Sequence, residues 1–484
     1  MPRWLLLALL VVVYIAVGSG CTTEKAAREQ PRPQTKVDPA QLPMKYRDHS
    51  VVLISIDALQ AKHVGCLGNK RNVTPHLDAF ARESFVFSQF HSVSSWTVPA
   101  SMTWFTGMYP SEHRLTNKFA VYNAEEQRPA RLSQLAPNLI TLAEVLKANG
   151  YQTAGFTGNA GVSGAFGFAQ GFDVYDHEPR KFGSLSRSGV KAAEWLKEHS
   201  NEKFFLFLHG YDVHGQFGPA GGYDYRFVDR NYDRRFTGSP PEQELLREEG
   251  LEKGSVDLRS EDVEFWRAIY DEKVQRADEQ LGKFLHELAA LQLNPPPLVI
   301  ITADHGTELH EHRRFDHGFT LYEELVHVPL FVQLPGQQAS KPVSARLSSI
   351  DVMPTVLDLL EVSLPERAKN QLRGQSLLPA MRGEPSEREI FAETDYRQYT
   401  YQRSITTPAG WKLIFRLEAG TRELYHLQED PGELHNRAAD DSPTADELQE
   451  KLFAHFAALG HDLTAQRWTT GLNPVYDSQG RVKP

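Results

Sequence analysis

Continuous apolar runs, rather than alternating ones, punctuate this chain. VVLISI at 51–56, YQTAGFT at 151–157, KFFLFL at 203–208, LVIIT at 298–302 and VPLFVQL at 328–334 are short and bounded by polar residues. Such runs suit strands buried on both faces of a parallel sheet. Between them, helical spacing predicts helices over 74–83, 138–150, 184–199, 261–291 and 349–362. Helices alternating with buried strands predict an α/β fold, a large doubly wound, mostly parallel sheet sandwiched by helices, over 48–385. Then the rhythm changes. REIFAET, YTYQRSITT, GWKLIFRLEA and RELYHL are closely spaced strands followed by a helix over 445–459, which predicts a small antiparallel α+β subdomain and tail over 386–484. Two stretches carry no clear period. The polar section 215–259 reads as an irregular excursion. The glycine-rich GNAGVSGAFGFAQGFD at 158–173 lacks the spacing of a phosphate cradle and reads as a plain loop.

The first residues belong to export rather than to the fold. Arg3 precedes an apolar run over 4–17, followed by Gly18, Ser19, Gly20 and Cys21. A positive start, a short apolar run and small residues make a signal peptide over 1–20. The run falls short of the about 20 residues of a membrane span. Cys21 after small residues resembles a bacterial lipobox, so a lipid on Cys21 is expected, with plain secretion or an uncleaved anchor as alternatives. The polar, Pro-rich 21–47 then reads as a tether from a lipid anchor in the bacterial envelope. Acids exceed bases by 62 to 52, a net charge of −10, which argues against a nucleic-acid partner. Cys66 is the other of the two cysteines; with Cys21 lipidated it has no disulfide partner, and it reads as a small buried apolar residue.

Candidate chemistry collects just past strand ends, where open α/β sheets gather ligands. Asp57 closes the first strand, and Asp304 and His305 follow LVIIT. His209, Asp212 and His214 follow KFFLFL, and 307–318 supplies Glu308, His310, Glu311, His312, Asp316 and His317. SSWTVPASMTWFTGMYP at 94–110 reads as a loop entering a helix, with Thr97 as its cap and Pro99 in the first turn. Thr97 there is either an ordinary cap or a hydroxyl beside free N–H groups that welcome an anionic ester. Asp57 likewise is a ligand or a cap. Two carboxylates, an imidazole and the Thr97 hydroxyl suit a divalent cation (Ca, Mg, Mn or Zn), which would activate the hydroxyl. His214 and His317 could bind the ester's other oxygens, protonate the leaving group or hold a second metal. Lys118, in HRLTNK, could share the anion.

These stretches also carry a family likeness. VVLISIDALQAKHVGCLG, NVTPHLDAFARESFVFSQFHSVSSWTVPASMTWFTGMYPSEHR, FAQGFDVYD, FFLFLHGYDVHG, YDEKVQRADEQLG, VIITADHGTELHEH, HGFTLYEELVHVPL and ELYHLQEDPGELHNRA occur in that order from Val51 to Ala438. Together they resemble the sulfatase family of the alkaline-phosphatase superfamily. The resemblance implies an α/β/α domain with a C-terminal antiparallel subdomain. It also implies a metal-dependent hydrolase of sulfate or phosphate esters, on a glycan, lipid or small molecule. Thr97 falls on the nucleophile position, but sulfatases proper carry Cys or Ser in C/S-x-P-S-R and oxidise it to formylglycine. Here Thr97 cannot give that aldehyde, and Ser101 stands for the Arg, so no formylglycine is expected. Ala58 stands where many sulfatases have a second Asp. An ester on Thr97 must be cleaved by a second nucleophile, as Thr relatives do at phosphorus, which leans the reading towards phosphate esters or diesters. The alternatives are an envelope phosphoryl-alcohol transferase and a lipid-anchored binding protein without turnover. Ser101 is expected to tie its hydroxyl to the helix.

Overall fold

A computed structural model of the chain describes residues 42–116, 134–178, 182–219, 221–396 and 400–464, and the backbone of 121–123 and 128–130. The expected signal peptide, Cys21, the tether up to residue 41 and Lys118 lie outside them. The main sheet is made of β1 (Val51–Ile56), β2 (Phe85–Phe87), β3 (Gln152–Gly158), β4 (Val174–Glu178), β5 (Phe204–Gly210), β6 (Leu298–Thr302), β7 (Leu330–Gln333) and β8 (Lys341–Val343). Their order across the sheet is β8-β2-β7-β6-β1-β5-β3-β4. Every residue of β1, β5 and β6, the central three, is buried, which is why their sequences run apolar without alternation. Pairing is parallel except at β7, which runs antiparallel to both β6 and β2.

Register decides what the sheet presents at its carboxyl edge. Ser55 on β1 pairs with His209 on β5 and with Thr302 on β6. Asp57, two residues past Ser55, and Asp304, two past Thr302, therefore emerge level with one another, two residues beyond the level of His209. β5 runs on through His209 and Gly210, two residues longer than its apolar run.

The longer helices are α1 (Pro75–Ala81), α2 (Thr97–Thr106), α3 (Leu142–Ala148), α4 (Leu185–Glu198), α5 (Pro240–Lys253), α6 (Ser260–Ala290), α7 (Val352–Leu359) and α8 (Ser442–Ala458). All ten residues of α2 are buried, so the helix behind Thr97 is a core element. The section expected to be irregular contains α5, closed at its start by a reciprocal Ser239–Glu242 capping box. Cys66, expected to be buried, is exposed. It lies on a tight turn whose inward apolar residue is Val64, leaving the thiol on the outer side.

The C-terminal strands β9 (Ile390–Tyr396), β10 (Thr400–Thr406), β11 (Trp411–Arg416) and β12 (Thr421–His426) form one antiparallel sheet in sequence order. Ile405, Leu413 and Leu424 pack on Leu448, Leu452 and Phe456 of α8. Strand β9 also grips the loops around α2. The Glu393 amide donates to the Val93 carbonyl (2.8 Å), and the Glu393 carboxylate accepts from the Ser111 amide (2.8 Å).

Candidate active site

Thr97 is the first residue of α2, not its cap; extended Trp96 takes the cap position. The hydroxyl is thereby released from capping. It donates to Asp57 Oδ2 at 3.2 Å and lies 3.2 Å from His305 Nε2. His305 Nδ1 is 2.6 Å from the Gly306 carbonyl, which assigns its proton to Nδ1 and leaves Nε2 an acceptor. One hydroxyl proton thus faces two acceptors. The first-turn N–H groups of α2, which a helix leaves without internal partners, add positive potential beside it. Gly161, in the supposed plain loop, stands against the other side of Thr97. A Cβ there would fall 2.6 Å from both Cβ and Cγ2 of Thr97, so only glycine admits this seating. Ser101 departs from expectation: its hydroxyl is buried without a hydrogen-bond partner, whereas Thr103 and Thr106 donate back to helix carbonyls.

Around Thr97 the sheet edge collects acid and imidazole. Asp57, His209, Asp304 and His305 are all completely buried. Ligand atoms from Asp57, His209 and Asp304 lie within 4.8 Å of one another. His305 Nε2 is 3.9 Å from Asp57 Oδ1 and 3.7 Å from Asp304 Oδ2. His209, one of the three potential ligands expected past KFFLFL, is the one of them that stands in this group. Asp304 Oδ1 is held by the amides of Ala58 (3.2 Å) and His305 (2.9 Å). Its Oδ2, Asp57 Oδ1 and both His209 ring nitrogens have no hydrogen-bond partner.

Electrostatics explains what that arrangement requires. Burial, then the Asp304 carboxylate, push the Asp57 carboxyl well above the usual carboxylate range, against the pull of His305 and Thr97. Burial pulls His209 down to about 4, so it is a neutral imidazole with a lone pair to give. Unpartnered oxygens from two dehydrated carboxylates, plus neutral imidazoles, are the donor set of a divalent cation. The residues fit such an ion.

His214 and His317 lie together beside this group. Their Nε2 atoms are 3.1 Å apart, and the His317 ring is 4.4 Å from that of His305, centroid to centroid. The Gln216 amide donates to His214 Nδ1 (3.2 Å), which places the His214 proton on Nε2, facing His317. Phe182 stacks on the His214 ring at 4.9 Å. Lys273 of α6 props the backbone here, donating to the His214 and Gly215 carbonyls at 3.1 Å each. Burial draws its ammonium down to about 7, partly offset by Asp316. Arg247 of α5 approaches Asp316 Oδ2 at 3.8 Å. Asp212 is not among the candidate ligands, because its Oδ2 accepts the Leu185 amide (2.7 Å) at the start of α4. His310 is tied to the Val256 carbonyl (2.7 Å).

This layout of helix-start hydroxyl, strand-end acids and paired histidines coincides with a sequence match. Residues 49–362 match the sulfatase family, and residues 310–461 match the C-terminal region of N-sulphoglucosamine sulphohydrolase. The chain belongs to the sulfatase family. It is 24% identical over 433 residues to the Delta 4,5-hexuronate-2-O-sulfatase of Bacteroides thetaiotaomicron, covering 80% of this chain and 84% of that one. It is 23% identical over 478 residues to the N-acetylglucosamine-6-O-sulfatase of the same organism, covering 80% and 82%. The phosphonate monoester hydrolase of Agrobacterium radiobacter has the same fold. It superposes with a TM-score of 0.65 at 21% identity over 90% of this chain and 100% of that one. Against the sulfatase pattern, the site lacks a carboxylate at Ala58, whose backbone is left-handed (φ 60°) and whose amide turns to Asp304 instead.

Proposed function

We propose that this sulfatase-family chain hydrolyses phosphate esters or diesters with Thr97 as nucleophile. The observation that carries the reading is the Thr97 hydroxyl, held between Asp57 and His305 at 3.2 Å from each, at the start of a buried helix. Oγ1 gives up its proton toward the acceptors facing it and attacks phosphorus. The bond to the leaving oxygen breaks as His214 or His317 supplies that oxygen with a proton. Water then cleaves the Thr97 ester, restoring the hydroxyl and releasing phosphate from a monoester substrate or a phosphate monoester from a diester. A divalent cation held among Asp57, His209, Asp304 and His305 would lower the hydroxyl's pKa and polarise the ester. The secretory and lipobox reading of residues 1–21 puts this activity in the cell envelope.

The named relatives favour a second reading, a sulfate ester on a uronate or glucosamine of a glycan. A panel of chromogenic phosphate, phosphodiester, phosphonate and sulfate esters separates them. Phosphate or diester turnover that needs the cation and Thr97 supports the first reading; turnover of sulfate alone replaces it with the second. Turnover only with an added acceptor alcohol makes the chain a transferase, and no turnover of any ester refutes the proposal.

Replacing His214 or His317 by Ala is expected to lower kcat by about 10²–10⁴-fold, the usual worth of acid–base help, with cation content unchanged. Elemental analysis beside the kinetics checks this. A variant that loses metal with its histidine would make that residue a second-site ligand.

A further inference from the structure

The segment between His305 and His317 carries more ligand chemistry than the ester site uses. Glu308, on the short strand Glu308–Leu309, is wholly buried. Its Oε1 accepts the amides of His312 (2.9 Å) and Arg314 (2.8 Å), while its Oε2 is buried with no hydrogen-bond partner. His312 Nδ1 lies 2.7 Å from Glu324 Oε1, and its Nε2 lies 3.1 Å from the Glu433 carbonyl. The ring is clamped against Tyr322, with centroids 3.6 Å apart and planes 15° apart. Ligand atoms of Glu308, His312 and Glu324 all lie within 4.8 Å of one another, as a group separate from Asp57, His209 and Asp304.

Two features mark this as a cradle for a cation rather than a chance cluster of acids. The first is the imidazole: Nε2 donates to the Glu433 carbonyl, and Nδ1, which donates to Glu324 without a metal, is the nitrogen that would turn a lone pair to the carboxylates once a cation displaced its proton. The second is charge. The neighbouring lysines are matched to other acids, Lys62 to Glu311 and Lys412 to Glu323 and Glu433. Glu308 and Glu324 are left to His312, and the orphaned Glu308 oxygen has nothing to take. We propose that Glu308, His312 and Glu324 form a second metal site, for a borderline divalent ion of the Zn²⁺ or Mn²⁺ class. Two carboxylates with one imidazole are the donors such ions accept. The ion joins the turn after the catalytic Asp304 to the helical turn Glu323–Val326 and, through the His312 ring, to the backbone at Glu433.

Zn²⁺ alone is the probe. Purified full chain, Asp304→Asn, and Asp304→Asn combined with Glu308→Gln are dialysed against zinc and their metal content measured. Gln has the shape of the protonated carboxyl that burial favours at Glu308, so this substitution is expected to preserve the fold, which circular dichroism verifies. Asp304→Asn should keep one zinc per chain and a zinc-dependent rise in Tm; the double variant should lose both. Should the double variant misfold, anomalous diffraction at the zinc edge decides with the unaltered protein. A peak among Glu308, His312 and Glu324 upholds the site. A single peak at Asp57 and Asp304, or equal zinc in the two variants, overturns it.

Discussion

Thr97→Ala is expected to abolish turnover, by a factor on the order of 10⁴ or more, while the fold and the bound cation remain. The size follows from chemistry: without Oγ1 no ester can form on the enzyme, and only positioning and charge are left to act on the substrate. Retention of the fold follows from burial. Alanine keeps Cβ in the tight place against Gly161 and is a good helix former at the first position of α2. Thr97→Ser should keep activity within about tenfold, since the hydroxyl survives and only the methyl facing Gly161 is lost. Ser95→Ala and Ser101→Ala should leave most of the activity, although both hydroxyls are buried and unpartnered, because neither is hydrogen-bonded to the acid cluster as Thr97 is. Trapping with a slow substrate, followed by peptide mass spectrometry, reads the adduct directly. A phosphate or sulfate on Thr97 fixes both nucleophile and ester class. An adduct on either serine, or undiminished turnover by Thr97→Ala, would falsify the assignment.

What could be seen in the sequence was whatever burial writes in apolar letters. The central strands are buried on both faces, so VVLISI, FFLFL and LVIIT announce themselves, and with them the strand-end positions of Asp57, Asp304 and His305. His209 could be listed among potential ligands but not told apart from Asp212 and His214, because β5 runs past its apolar run and a buried imidazole looks like the first residue of a loop. Its signal was an imidazole directly continuing a fully buried strand. Helix α5 was hidden for a different reason. Its buried positions are Gln243, Leu246, Arg247 and Gly250, a proper helical spacing filled mostly by residues that do not read as apolar. The Ser239–Glu242 capping box was the available cue. Gly161 carries its meaning only through a contact with Thr97, 64 positions away in a different element, and no local pattern contains that. The cap assigned to Thr97 failed because the strand-end acids claim its hydroxyl and Trp96 supplies the extended residue that enters the helix.

Asp304→Asn is expected to remove the cation from the ester site and, with it, turnover, yet to stabilise the chain in the presence of a chelator. Both halves follow from the same carboxylate. Oδ1 is engaged by the amides of Ala58 and His305, a role that the Asn oxygen repeats. Oδ2, unpartnered and buried, is the side that faces Asp57, His209 and the proposed ion, and there Asn puts an amide that donates instead of a charge that binds. Without metal, the Asp57 carboxyl is held above its ordinary range by burial and by Asp304. A carboxyl raised on folding binds more protons folded than unfolded, so the stability it lends is present below its unfolded pKa and is lost as pH rises through the folded one. In chelator, the Tm of the unaltered protein should therefore fall as pH is raised through the range in which the buried Asp57 carboxyl sheds its proton, above the usual carboxylate range. The fall should be shallower in Asp304→Asn, where the repelling neighbour is gone. Adding the cation should reverse the order, because only the unaltered protein binds it at the ester site and gains that site's share of stability by mass action. Metal analysis and thermal melts with and without chelator read all of this. Equal metal at the ester site in both proteins, or a steeper pH slope in the variant, would remove Asp304 from the ligand set.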